Sequence, residues 1–284
     1  MTRNGPSLGN VVACDGSWRF ERGVDLRSDP YLLDHVVEGK PVFPAAYLVG
    51  LMTQAAHRVL PHHHVLGVQD VSFVQAAHFK DTRALEFAVT AECSDSQHVS
   101  VGISSSMAPP REGFPRIHRT HARGNVRMGE RVAQSARFPC LDFTGAADYA
   151  ELYRLPREIQ HGPSFLAGQR YRQPAPKQLL ATVAPPGRSS RGWRLEADEP
   201  GWPASLLNAI LHVGFSLGVL ARERTVLPLE LASAELHSIP TGEVQVFARM
   251  TGARDGRLTF HVVSWDTEGR LVALFHGFTV REVP

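Results

Sequence analysis

His35-Val36-Val37-Glu38-Gly39-Lys40-Pro41-Val42-Phe43-Pro44 runs straight into Ala45-Ala46-Tyr47-Leu48-Val49-Gly50-Leu51-Met52-Thr53-Gln54-Ala55-Ala56-His57, and this junction decides how the first half of the chain folds. The run after Pro44 is apolar on nearly every face, which predicts a buried helix rather than a surface one. Val65 to Val74, Leu85 to Ala91, His98 to Ser104 and His118 to Met128 are short β-rich runs. Asp, Gly, Ser and Pro separate them, as in an antiparallel sheet.

Hydrophobic periodicity fades between Gly129 and Gly145, where a polar stretch with Pro139 reads as a linker. The pattern then starts again. Trp202-Pro203 leads into Ala204-Ser205-Leu206-Leu207-Asn208-Ala209-Ile210-Leu211-His212-Val213-Gly214-Phe215-Ser216-Leu217, a second all-round apolar helix with Pro203 expected in its first turn. Strands are expected over Val244 to Met250, Leu258 to Trp265 and Leu271 to Val280, with Arg254-Asp255-Gly256 and Thr267-Glu268-Gly269 as turns. The chain thus divides into residues 1–130, a linker at 131–145, and residues 146–284. Each half carries one buried helix and several antiparallel strands, an α+β arrangement in which two sheets each wrap a helix and pair side by side. A small-molecule site is expected between the halves.

Composition narrows the function. The 284 residues are 43% hydrophobic and 20% charged, with a formal net charge of +2, which is ordinary for a globular chain and offers no nucleic-acid footprint. Cys14, Cys93 and Cys140 lie far apart, so neither a disulfide framework nor a cysteine zinc site is expected, and the reducing cytoplasm is the expected compartment. Met1 to Gly16 has no apolar signal core, and no membrane association is expected.

Several motifs invite chemistry and fail on spacing. The adjacent histidines of Pro61-His62-His63-His64 point in different directions with no acidic or cysteine partner at ligand spacing, so a turn is expected rather than a metal site. Gly162-Pro163-Ser164 cannot form a nucleophile elbow because proline precedes the serine. No glycine-rich phosphate loop occurs, so no cofactor is expected. Arg116, Arg119, Arg123 and Arg127 read as solvated strand positions before they read as a docking strip. What remains is His35. Imidazole titrates near neutrality, and a histidine held ahead of a turn and a helix start is suited to taking a proton from a weakly acidic carbon.

Three motifs in order carry a resemblance. His35-x3-Gly39-x4-Pro44, His161-Gly162-Pro163-Ser164-Phe165 and Leu206-Leu207-Asn208-Ala209-Ile210-Leu211-His212 resemble the histidine, Tyr-Gly-Pro-x-Phe and Leu-Leu-Asp-x3-Gln/His motifs of polyketide synthase dehydratases and related fatty-acid synthases. The phrase from Asp29 to Pro44 looks nearest to the polyunsaturated fatty-acid and enediyne synthases. The resemblance spans roughly Trp18 to Val283 and implies a double hotdog. It also implies a β-hydroxyacyl substrate held as a phosphopantetheine thioester on an acyl carrier protein. His35 is then the base, and Gly39, Pro44, Ala45, His161, Gly162, Pro163, Phe165 and His212 border the substrate. Ala45 stands where the family has glycine, His161 where tyrosine is common, and His212 at the Gln/His position.

The departure that matters is Asn208, at the position of the family's aspartate. An amide cannot protonate a leaving hydroxyl, and loss of general acid catalysis costs about 10²- to 10⁴-fold. Moving a double bond has no leaving group and needs only a base that takes a proton at one carbon and returns it at another. Enoyl isomerisation is therefore the leading expectation. The alternatives are dehydration with a substitute acid such as His212 or a water, pyran-forming cyclisation, and a catalytically silent acyl-binding module. The oligomeric state stays open between a single chain and a homodimer.

Overall fold

The computed structural model describes residues 8, 10–14, 17–79, 84–107, 117–130, 137–155, 158–185 and 201–283. The first half runs β1 (Asn10–Cys14), β2 (Ser17–Asp25), β3 (His35–Val37), β4 (Lys40–Phe43), α1 (Ala45–Val59), β5 (His64–Phe73), β6 (Ala77–His78), β7 (Ala84–Cys93), β8 (His98–Met107) and β9 (Ile117–Gly129). The second runs β10 (Ala147–Asp148), α2 (Ala150–Tyr153), β11 (Ile159–His161), β12 (Gly168–Ala175), β13 (Gln178–Val183), α3 (Ala204–Arg222), β14 (Val226–Leu236), β15 (Val244–Arg254), β16 (Arg257–Asp266) and β17 (Leu271–Glu282).

Thirteen strands form one antiparallel sheet in the order β1-β2-β7-β8-β9-β5-β14-β17-β16-β15-β13-β12-β10. The order repeats outward from its middle. From β5, the strand after α1, come the last strands of the first half in reverse and then a strand that precedes α1; from β14, the strand after α3, the second half does the same. The two half-sheets meet at β5 and β14, with Leu231 opposite Val71 and Ala234 opposite Val68. This is the double hotdog, its halves fused edge to edge so that neither inner edge is left unpaired.

Each half-sheet curls around its helix, which explains why both helices are apolar all round. Leu51, Met52, Ala55 and Ala56 of α1 and Leu206, Leu207, Ile210, Val213 and Leu217 of α3 are essentially inaccessible. By length and hydropathy α3 would satisfy a membrane span, yet 78% of it is buried inside the protein. The helices begin alike, with Pro44 and Pro203 as extended N-caps. Pro203 therefore stands one residue before the first turn in which it was expected. α1 and α3 also touch. A Cβ on Gly50 would lie 3.1 Å from that of Ala204, and the Trp202 N–H donates to Thr53 Oγ1 at 3.0 Å.

The tight hairpins follow the sequence reading. Asp255 and Gly256 both take positive φ, 51° and 69°, joining β15 to β16. Gly269 at φ 78° closes the turn into β17. Of the segment read as a linker, residues 131–136 lie outside the described residues. Farther along, Phe138 stacks on Trp265 with ring centroids 5.3 Å apart, and Gln245 holds both the Leu141 N–H and the Trp265 indole N–H.

A second, four-stranded sheet runs β11-β3-β4-β6. It positions the site, because β11 belongs to the second half of the chain and its three partners to the first.

Candidate active site

The spacing of the first motif is the geometry of one hairpin. Glu38 and Gly39, at φ 50° and 73°, form a two-residue turn that returns β4 along β3; glycine takes a positive φ at no steric cost, which accounts for Gly39. The return brings the Val42 carbonyl to His35 Nδ1 at 2.9 Å. A carbonyl only accepts, so Nδ1 carries the ring proton and Nε2 presents its lone pair. Pro44 then caps α1, whose first turn begins at the cavity. The Tyr47 and Leu48 N–H groups go to the Pro44 carbonyl. Ala45 and Ala46 precede them with first-turn amides, and both residues line the cavity.

The second motif is clamped onto the first. His161 stands directly opposite His35 in the β11–β3 pair. The Gly162 N–H donates to the Asp34 carbonyl at 2.7 Å, and Ser164 gives both its backbone N–H (3.0 Å) and its hydroxyl (2.5 Å) to Asp34 Oδ2. A Cβ on Gly162 would collide with the Asp34 carboxylate, so this glycine is required by close approach. Phe165 packs against the His35 ring at 5.2 Å between centroids.

The third motif lies on α3. Asn208 and His212, one turn apart, line a cavity of about 650 Å³ together with His35, Ala45 and His161. Gly39, Pro44, Gly162, Pro163 and Phe165, expected to border the substrate, are not among the residues that line it. The rest of the lining is mostly apolar, including Val42, Phe43, Phe73, Leu211 and Phe215. Among the described residues lining it, the carboxylate is Glu282, which is ion-paired to Arg222 at 2.8 Å.

Four imidazoles line the cavity, His121 among them, and three of the four crowd together on one wall. His161 lies 5.4 Å from His35 and 4.8 Å from His212 between ring centroids. Burial pushes His35 down to about 4, against the smaller opposing effect of its bond to Val42. Burial lowers His212 to about 3, helped by His35. It lowers His161 to about 2, helped by both neighbours. All three rings are neutral at pH 7.

Other residues of the site were not read from the sequence. Tyr149, Tyr153 and Ser216 underlie His212, with the Tyr153 ring 4.6 Å from it. Leu227, Pro228 and Leu229 of β14 also line the cavity. Ser216 was accessible in principle, because Asn208, His212 and Ser216 recur at intervals of four on a helix already recognised.

Fold and site together define a double-hotdog protein with a histidine-bearing cavity at the junction of its halves. The chain belongs to the polyketide synthase dehydratase family. Residues 6–106 match the family model described as polyketide synthase dehydratase domain, and residues 141–284 match that described as polyketide synthase dehydratase N-terminal domain. Among curated proteins it is 26% identical over 278 residues to the polyketide synthase ThaG of Burkholderia thailandensis, covering 94% of this chain and 4% of that much longer protein. Solved structures share the fold. The dehydratase domain from the CurF module of curacin polyketide synthase superposes with a TM-score of 0.79 at 19% identity, each chain covered completely. The dehydratase domain of RzxB from Pseudomonas fluorescens gives 0.78 at 19% identity, covering 98% of this chain and 99% of that one. The dehydratase domain of PpsC from Mycobacterium tuberculosis, in complex with C12:1-CoA, gives 0.75 at 19% identity with 99% of each chain covered.

Proposed function

We propose that this domain acts on acyl thioesters carried by an acyl carrier protein and moves a double bond between the α,β and β,γ positions, with His35 as the single base. The observation that carries this reading is the amide of Asn208 in the cavity that also holds the His35 lone pair. The alternatives that need an acid are weaker here. Burial holds His121, His161 and His212 below the ordinary imidazole range, and Glu282 is engaged by Arg222.

His35 Nε2 takes a proton from the γ-carbon of an α,β-enoyl thioester, leaving a dienolate and an imidazolium. The first-turn amides of α1 face the developing charge on the thioester oxygen. The imidazolium returns its proton to the α-carbon, giving the β,γ-enoyl thioester and neutral His35. No group leaves and no second acid is required.

The test supplies an α,β-hexenoyl pantetheine thioester and its β-hydroxy precursor separately, in deuterated water. Deuterium entry and β,γ-olefin from the first, with negligible water loss from the second, is the expected result. Rapid dehydration of the hydroxy compound would overturn isomerisation, and undiminished activity in His35→Ala would overturn the assignment of the base.

A further inference from the structure

Behind the cavity wall, Tyr149, His212 and Ser216 form a closed polar triangle that the proposed reaction does not use. Tyr149 Oη lies 3.2 Å from His212 Nδ1 and 3.1 Å from Ser216 Oγ, and Ser216 Oγ lies 3.3 Å from Nδ1. All three side chains are buried, His212 at 7% exposure. On the other side of the ring, Nε2 is buried without a partner in a residue that lines the cavity.

Counting protons decides the tautomer. With Nδ1 bare, both hydroxyl protons find acceptors inside the triangle, one on the neighbouring oxygen and one on Nδ1. With Nδ1 protonated, three protons compete for two oxygens, and one buried hydroxyl is left without an acceptor; Nε2 lacks a protein partner in either tautomer, so the Nδ1–H form leaves one more buried group unpaired than the Nε2–H form. A loss of that kind biases the equilibrium by about tenfold or more. The ring has no third state to escape to, because burial keeps it neutral through the physiological range. Its plane is also fixed, between the Tyr153 ring and the edge-on His161 ring.

We infer that Tyr149 and Ser216 hold His212 as its Nε2–H tautomer, and that this N–H is a donor for an oxygen on the acyl chain bound beside Asn208. Tyr149 and Ser216 are positioning residues in this scheme. The second clause rests on the reading of the cavity as an acyl thioester site; the first does not. The ligand class that fits is an acyl chain bearing a hydroxyl, keto or ether oxygen, in preference to a plain hydrocarbon chain.

Nitrogen-15 spectra of histidine-labelled protein, without ligand, read the tautomer directly, the His212 signals being assigned by their loss in His212→Gln. The expected result is the Nε2–H form at pH 7 in the unmodified chain, and a shift towards Nδ1–H when Tyr149→Phe and Ser216→Ala are combined. An Nδ1–H ring in the unmodified chain overturns the lock, whether or not the double variant folds. For the donor role, hexanoyl pantetheine thioester is compared with its β-hydroxy and δ-hydroxy counterparts by calorimetry. At least one hydroxylated chain should bind about tenfold tighter, and His212→Phe should abolish that preference. No preference, or one that survives His212→Phe, overturns the donor role. Neither measurement depends on turnover, so failure of the isomerase reading would be seen separately.

Discussion

His35 and His161 stand opposite each other in register across β3 and β11, their rings 5.4 Å apart, so the base of the proposed reaction comes from one half of the chain and the imidazole facing it from the other. With His212 they make a cluster that excludes charge. Each has a folded pKa below the free value of 6.5, so the unfolded chain binds more protons than the folded one as pH falls through 6.5. Stability present at neutral pH is therefore lost on acidification, mostly between pH 6.5 and about 4. His35 alone contributes on the order of 3 kcal/mol to that loss. Thermal unfolding followed from pH 7.5 to 4.5 should show a falling midpoint already above pH 5, before carboxylates titrate. In His161→Phe the slope over this interval should be shallower.

The same depression shapes the rate. Because His35 stays neutral down to about pH 4, kcat/KM for isomerisation should be nearly flat from about pH 5 to 8 instead of falling off near 6.5. His35→Ala should lower the rate by about 10²- to 10⁴-fold at every pH in that range. A measured acid limb centred near 6.5 would mean that the free site is far wetter than its packing implies.

Asp34 is expected to act through geometry. It collects the Gly162 N–H on its carbonyl and two Ser164 donors on its carboxylate, and so sets the height of His161 over His35. Asp34→Ala should cost about 1–3 kcal/mol of stability and lower kcat/KM without moving its pH profile. Gly162→Ala should be worse, because its Cβ has no space beside that carboxylate. Denaturant melts of both variants, paired with rates, check the order.

How much of this was legible follows from where the signal is local. The two long helices and the strands β5, β7, β8, β9, β15, β16 and β17 announced themselves because each half-sheet wraps its helix, leaving continuously buried and mostly apolar runs such as Ile210 to Leu217. β2 escaped because its inward positions are Phe20, Arg22 and Val24. A buried arginine breaks the alternation, and only the fold supplies Asp29 at 2.6 Å to neutralise it. β14 escaped for a related reason, since Pro228 and Glu230 interrupt the strand where it shifts register against β17. In the site, Gly39 and the His35–Val42 bond are consequences of a seven-residue spacing and could be anticipated from it. The Asp34–Ser164 clamp joins residues 130 positions apart, and Tyr149 meets Ser216 across 67; no local pattern encodes either.

Asn208 gives the sharpest test of the functional proposal. Restoring the family's carboxylic acid with Asn208→Asp changes one polar group for another of nearly equal size on an ordered turn of α3, so folding should be little affected. The new carboxyl would sit in a mostly apolar cavity beside neutral imidazoles, where burial raises its pKa and keeps part of it protonated near neutrality. It would then be able to hand a proton to a leaving β-hydroxyl while His35 removes the α-proton. β-Hydroxyhexanoyl pantetheine thioester should be dehydrated at least about 10²-fold faster by the variant than by the unmodified domain. The gain should require His35, vanishing in the double variant with His35→Ala. If the unmodified domain dehydrates well and Asn208→Asp adds nothing, another group already supplies the proton and the isomerase reading fails; if dehydration appears only with the carboxylate, the amide at 208 is what turned a dehydratase scaffold from water removal to proton relocation.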